Sequence, residues 1–265
     1  MLHTILDFLA SLFSALSRAA DASTFDTVST VDTQSTAPPG WEGAPPYRYI
    51  DVSRYQGKIT LNGWRKVKAA GYKGVMLKTV STNKKLSKRA DGLYIDPTFE
   101  DNYKNAKAAG LDVGVYYYTY ATSEAMADAE LALVRKAVRD KELTLPLAVD
   151  VEENEITPLS TLDLSNLTAY ALEQVESMGF YAQLYTYTYY SNTELDMQRL
   201  ASRWDVWLSD TTGSTPKVNY HYNAHQHNHH GRVPGITGDV DLNVTTLNYP
   251  RIIAKKGLTR LREGV

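Results

Sequence analysis

Two acids separated by a single valine, Asp150 and Glu152 in LPLAVDVEEN (145–154), are the residues whose spacing first suggests chemistry. The apolar run that carries them reads as a strand, and side chains along a strand alternate faces. Asp150 and Glu152 therefore share one face and Val149 and Val151 the other, with the acidic Cα atoms ~6.6 Å apart from the strand rise alone. Carboxylates held this close do not all ionise cheaply, so one keeps its proton near neutral pH. That one can donate to a leaving oxygen while the others stay charged and stabilise a developing positive ring. Glycoside hydrolysis uses this division of labour, with carboxyl partners roughly 5–9.5 Å apart. A strand end meeting water would account for Asp150 and Glu152 equally well. Two further acids at predicted strand positions shift the balance: Asp51 in YRYIDVS (47–53) and Asp241 in DVDLNV (239–244).

Gathering these acids requires strands whose ends converge. Strands are predicted at 47–53, 74–80, 111–121, 145–151, 180–187, 205–210, 221–227 and 239–244. Helices are predicted at 61–71, 96–110, 123–140 and 164–179, with a short one at 193–202. Asp96 and Pro97 suit an N-cap and first turn, Gly110 a stop, and Ser165 a cap for the fourth helix. Apolar strands spaced by helices argue for an α/β fold with a parallel sheet covered by helices. About eight strands, no pronounced charged edge and missing late helices fit a closed barrel better than an open sheet. In such a barrel reactive groups gather at the C-terminal strand ends.

Five blocks in order make the pattern specific: YIDVSRYQG (49–57), DPTFEDNYKNAKAAGLDVGVYYYTYA (96–121), LPLAVDVEE (145–153), LYTYTYY (184–190) and VPGITGDVDLNV (233–244). Together they resemble glycoside hydrolase family 25, the lysozymes that cut peptidoglycan, from about Tyr49 to Asn248. The resemblance implies an irregular TIM-like barrel of five β/α units followed by three strands. It implies a retaining N-acetylmuramidase without a cofactor, cutting the β-1,4 bond from N-acetylmuramic acid to N-acetylglucosamine with help from the substrate's own N-acetyl group. Glu152 then matches the general acid and Asp150 the acid that orients the N-acetyl group. Asp51 and Asp241 match supporting acids. Tyr116 and Tyr118 are expected to wall the groove, with Tyr185, Trp207 and Gln226 as further substrate-binding candidates. This chain has His225-Gln226-His227 where many relatives carry Trp-Gln-Tyr, a loss of aromatic area that could alter sugar stacking. The segment 81–95 is longer and more basic than in many relatives and suits a loop at the groove rim.

The remaining features bound the reading. The chain has 265 residues, 43% hydrophobic and 22% charged, with a net charge of −2. That composition fits one barrel and gives no reason to expect nucleic acid as partner. No cysteine is present, which excludes disulfides and a thiol nucleophile. Tyrosine occurs 19 times, and its apolar plate with a polar tip suits gripping flat, polar ligands. His225, His227, His229 and His230 invite a metal reading, but the family uses no metal. Residues 1–20 are apolar at helical spacing, too short and interrupted for a membrane span, and read as a degenerate export signal or an amphipathic helix. Residues 21–46 read as a Ser/Thr/Pro/Gly-rich linker, 47–250 as the catalytic barrel and 251–265 as a basic, solvated tail. A monomer acting outside the membrane or in the cell wall is expected, and a phage endolysin made in the host cytoplasm would look the same. Two alternatives remain: a chitinase-like glycosidase, whose longer acidic signature needs acids where Leu145 and Ala148 stand, and a wall-binding module without turnover.

Overall fold

The computed structural model describes residues 47–156 and 158–262; the expected apolar segment 1–20 and linker 21–46 lie outside them. Strand β1 (Tyr47–Val52) leads to helix α1 (Leu61–Ala69), whose first turn is capped by the Thr60 hydroxyl accepting from the Gly63 amide. Strand β2 (Gly74–Lys78) is followed by a two-stranded hairpin, β3 (Val80–Thr82) and β4 (Leu93–Ile95), then α2 (Phe99–Ala108). Next come β5 (Asp112–Tyr118), α3 (Glu124–Val138), β6 (Leu147–Asp150), α4 (Thr161–Ser177) and β7 (Ala182–Tyr187). Two short helices, α5 (Thr188–Thr193) and α6 (Met197–Arg203), precede β8 (Asp205–Ser209), β9 (Ala224–Gly231), β10 (Val240–Thr245) and α7 (Tyr249–Lys256).

Eight strands close a barrel in the order β1-β10-β9-β8-β7-β6-β5-β2. Among the described residues no helix lies between β8 and β9 or between β9 and β10. The barrel is thus five β/α units followed by three bare strands. The sheet is not wholly parallel as expected. Strand β10 runs antiparallel to both β1 and β9, while the other neighbours are parallel. Residues 232–239 reverse the chain directly between β9 and β10, which pairs them antiparallel, whereas the longer helix-free segment 210–223 returns the chain so that β9 starts parallel to β8.

Alternation along the strands builds two cores. Outward residues such as Val75, Val113, Val149, Val151 and Leu184 pack with Trp64, Leu131 and Leu172 of the helices. Inward residues Tyr49, Met76, Ala148, Tyr185, Trp207 and Ala224 fill the barrel. On β5 the inward position beside Met76 is Gly114, where a Cβ would meet the Met76 sulfur at 2.5 Å. Tyr249 and Ile253 of α7 belong to the inner cluster and are fully buried. The C-terminal segment therefore contributes to the barrel's packing, and only its basic side is solvated. Helix α7 stops at Gly257, whose φ of 65° is the left-handed conformation glycine adopts without penalty.

Two expected caps are used differently. Helix α2 starts after Thr98, and the Asp96 carboxylate accepts from Thr98 N and Oγ1 and from the Arg54 amide. Asp96 thus ties the β1–α1 loop to the end of the hairpin. Helix α4 starts earlier than expected, capped by Ser160, and Ser165 lies buried within it, accepting from the Asp196 amide at 2.8 Å.

Candidate active site

The acids converge because of the barrel's directions. Asp51 is the penultimate residue of β1, and its register partner on β10 is Asp241. Asp241 is at the start of β10 rather than at a C-terminal end. Because β10 runs antiparallel, its start shares the rim with the end of β1. Asp150 ends β6, flanked in register by Tyr118 on β5 and Tyr185 on β7. Glu152 stands just past the strand, in an irregular stretch before a single 3-10 turn (Asn154–Ile156). Val149 and Val151 are buried in the outer core, so the alternation read from the sequence persists past the strand end.

Asp51 is held by a built polar network. Its Oδ2 accepts from Asn243 Nδ2 at 2.8 Å and from Gln226 Nε2 at 3.0 Å. Gln226 Oε1 in turn accepts from the Tyr185 hydroxyl at 3.0 Å and the Ser209 hydroxyl at 2.7 Å. Asn243 Oδ1 accepts from Trp207 Nε1 at 2.9 Å. Trp207 is 1% exposed, and its ring sits 4.6 Å from that of Tyr185, edge to face. Tyr185, Trp207 and Gln226, expected to bind substrate, form a buried network around Asp51. Tyr185 and Trp207 point into the barrel at the register level of Asp150. Tyr116 is half-buried and packs edge-on to Trp207, whereas Tyr118 reaches the rim, donating from its hydroxyl to Glu153 at 3.1 Å. Tyr117 is fully buried on the opposite face.

Electrostatics follow from crowding and burial. Burial raises Asp51, opposed by the hydrogen bonds from Asn243, Gln226 and Asp241. Asp241 is pushed up to about 9, by burial and then by the Asp51 charge. Asp51, already accepting from two amides, is the member of this pair whose charge is better stabilised, and the hydrogen bond between them raises Asp241. Burial, then the Glu152 charge, raises Asp150 well above the usual carboxylate range. Burial lifts Glu152 to about 7, against the pull of Lys78. Asp150 is 3% exposed, and its buried Oδ1 has no hydrogen-bond partner among the described residues. Such an oxygen is costly unless something donates to it.

Sequence reasoning missed several contributors. Asn243 lies two residues beyond Asp241 on a strand, so period-two alternation already placed it on the same face. Lys78, at the end of β2, was equally accessible to that argument. Glu153 was not, because its role depends on a loop. Its side chain accepts from the Tyr118 hydroxyl and the Glu155 amide, and its carbonyl from the Tyr190 hydroxyl at 3.1 Å. Exposed rings were also missed: Tyr55 in the loop after β1 and Tyr189 in the short helix α5 after β7 are 75% and 67% exposed. The basic segment 81–95 forms the β3–β4 hairpin, and Tyr94 on it accepts from Arg54 Nε at 3.4 Å.

His225 and His227 face away from this site. His225 and His227 alternate with the inward Ala224 and Gln226, so the aromatic loss expected to affect sugar stacking falls on the outside of β9. Burial lowers both, His227 to about 4. His225 Nε2 bonds the Asp210 carbonyl at 3.0 Å. Among the described residues no group of three or more histidine or acidic side chains is arranged to hold a metal.

The model of the family described as Glycosyl hydrolases family 25 matches residues 50–236, a span that begins beside Asp51 and takes in Asp150 and Glu152. The chain belongs to this family. Within family 25 it is 30% identical over 203 residues to the autolytic lysozyme of Clostridium acetobutylicum, a match covering 73% of this chain and 54% of that protein. It is 27% identical over 221 residues to lysozyme M1 of Streptomyces globisporus, covering 77% of this chain and 69% of the relative. The chain thus spans about half of the first relative's length and about two thirds of the second's. The family 25 fold is also that of a bacterial lysozyme from Streptomyces coelicolor, with a TM-score of 0.67 at 24% identity over 81% of this chain and 99% of the other.

Proposed function

We propose that this protein is a peptidoglycan hydrolase, a 1,4-β-N-acetylmuramidase that cuts the bond from N-acetylmuramic acid to N-acetylglucosamine with retention. The observation that carries the mechanism is the buried Asp150 oxygen, unpartnered among the described residues, two positions before a Glu152 whose carboxyl burial raises. An acetamido N–H is a donor suited to Asp150 Oδ1. Accepting it favours the Asp150 carboxylate and leaves the shared proton on Glu152. Glu152 then protonates the glycosidic oxygen as the acetamido oxygen attacks the anomeric carbon, and the bond to the leaving sugar breaks. The Glu152 carboxylate next takes a proton from water, whose oxygen opens the cyclic intermediate from the opposite face. Two displacements return the original configuration. The Asp51–Asp241 pair binds sugar hydroxyls and holds negative charge near the developing oxocarbenium.

The names of the Clostridium and Streptomyces relatives support the wall as substrate. A chitinase-like site is disfavoured because Leu145 and Ala148 are buried apolar residues of the inner core. Action outside the membrane or within the cell wall, as a monomer, fits this substrate. Among the described residues no helix is long and apolar enough to cross a membrane.

Purified cell walls test the reading. The native protein should lower their turbidity and release reducing ends with the β configuration, and Glu152→Gln should do neither. Binding without release of reducing sugar would favour a wall-binding module instead.

A further inference from the structure

The acid cluster faces one cation whose charge reaches three of its members. Lys78 ends β2 on the inward face, in register with Tyr116. Its Nζ lies 4.5 Å from the Tyr118 ring centroid and 5.7 Å from that of Tyr116. No carboxylate comes within ion-pair distance of it among the described residues. Yet its charge favours the ionised forms of Asp51, Asp150 and Glu152 alike. Two aromatic faces hold the ammonium among the acids without committing it to any one of them.

We propose that Lys78 is a positioning residue that sets the ionisation of Asp51, Asp150 and Glu152, and through them the pH range in which the enzyme turns over. This inference rests on the muramidase reading of the same hollow. Other groups facing it share one sign or are neutral: Asp51 and Tyr49 from β1, Tyr116 and Tyr118 from β5, Asp150 from β6, Glu152 and Glu153 from the following loop, Tyr185 from β7 and Asp241 from β10. Left to these, crowding and burial would keep the cluster protonated, and Asp150 could not accept a donor as a carboxylate. A cation bonded directly to Asp150 would overcorrect by occupying the oxygen the substrate needs. Held over the tyrosine rings, Lys78 lowers the cost of charge and leaves Asp150 Oδ1 open.

The test is the pH profile of kcat/KM on purified cell walls for native protein, Lys78→Met and Lys78→Arg. Removing the positive charge raises the acids, so both limbs of the Lys78→Met profile should move to higher pH, by about one unit. Lys78→Arg keeps the charge and should retain the native limbs. Carbon-13 NMR titration of the aspartate and glutamate carboxyls should show the same displacement without substrate, which keeps the test independent of turnover. A Lys78→Met enzyme that loses rate at every pH with unmoved limbs and unmoved carboxyl titrations would overturn the inference, leaving Lys78 as packing for Tyr118. If native protein releases no sugar at any pH, the muramidase reading fails instead, and the carboxyl titrations still decide the charge effect.

Discussion

Asp51 and Asp241 face each other across the β1–β10 ladder, and the side-chain hydrogen bond between them lowers Asp51 and raises Asp241. Two acids far apart in sequence thereby become a single unit carrying one negative charge. The geometry lets one carboxylate stay ionised in a buried place because its partner stays neutral.

Stability should fall as the pH rises from 4 towards 9. Asp241 is raised from 3.8 to about 9 and Glu152 from 4.5 to about 7, so the native state binds protons that the unfolded chain has released. That contribution is complete below the unfolded values and is lost as pH rises through the folded ones. Asp241→Asn should flatten the fall in Tm across this range, leaving the variant more stable than the native protein near pH 9. Equal slopes for the two proteins would contradict a proton resident on Asp241.

Glu152→Gln should lower kcat by about 10²–10⁴-fold, the range for loss of a general acid. The native rate should decline on the alkaline side as pH passes about 7, where Glu152 gives up its proton. The same substitution removes a costly buried charge, so Tm at pH 8 should rise by a few degrees. Calorimetry on the inactive variant checks this, and a fall in Tm would mean that Glu152 also carries structural weight.

Asn243→Leu should weaken the site through Asp51. It removes the 2.8 Å donor to Asp51 and leaves the buried Trp207 Nε1 without its acceptor. A buried group left unpaired costs about 1–3 kcal/mol, which denaturant unfolding can read. Activity should fall further than stability alone explains, because Asp51 loses one of the hydrogen bonds that hold its charge. A fully active, equally stable variant would show that this network is idle.

Trp207→Phe should leave Asn243 Oδ1 unsatisfied while keeping an aromatic ring against Tyr185. The expected cost is again about 1–3 kcal/mol. If Trp207 instead stacked on sugar, stability would hold and KM would rise.

The sequence alone determined the kind of fold and which neighbouring acids share a face. Period-two alternation put Asp150 and Glu152 on one side and Val149 and Val151 on the other, and strand–helix spacing gave eight strands with bare late connections. These are local properties, fixed by backbone geometry over a few residues. Only the tertiary structure decided the direction of β10, and with it why Asp241 meets Asp51 from the start of its strand. It also decided that Tyr185, Trp207 and Gln226 join one buried network around Asp51, that Lys78 stands among the acids, and that His225 and His227 face away. Each depends on which strands lie side by side and how deep a side chain sits in the barrel. Such relations are set by closure of the whole sheet, between residues as far apart in sequence as Asp51 and Asn243, and no local pattern carries them.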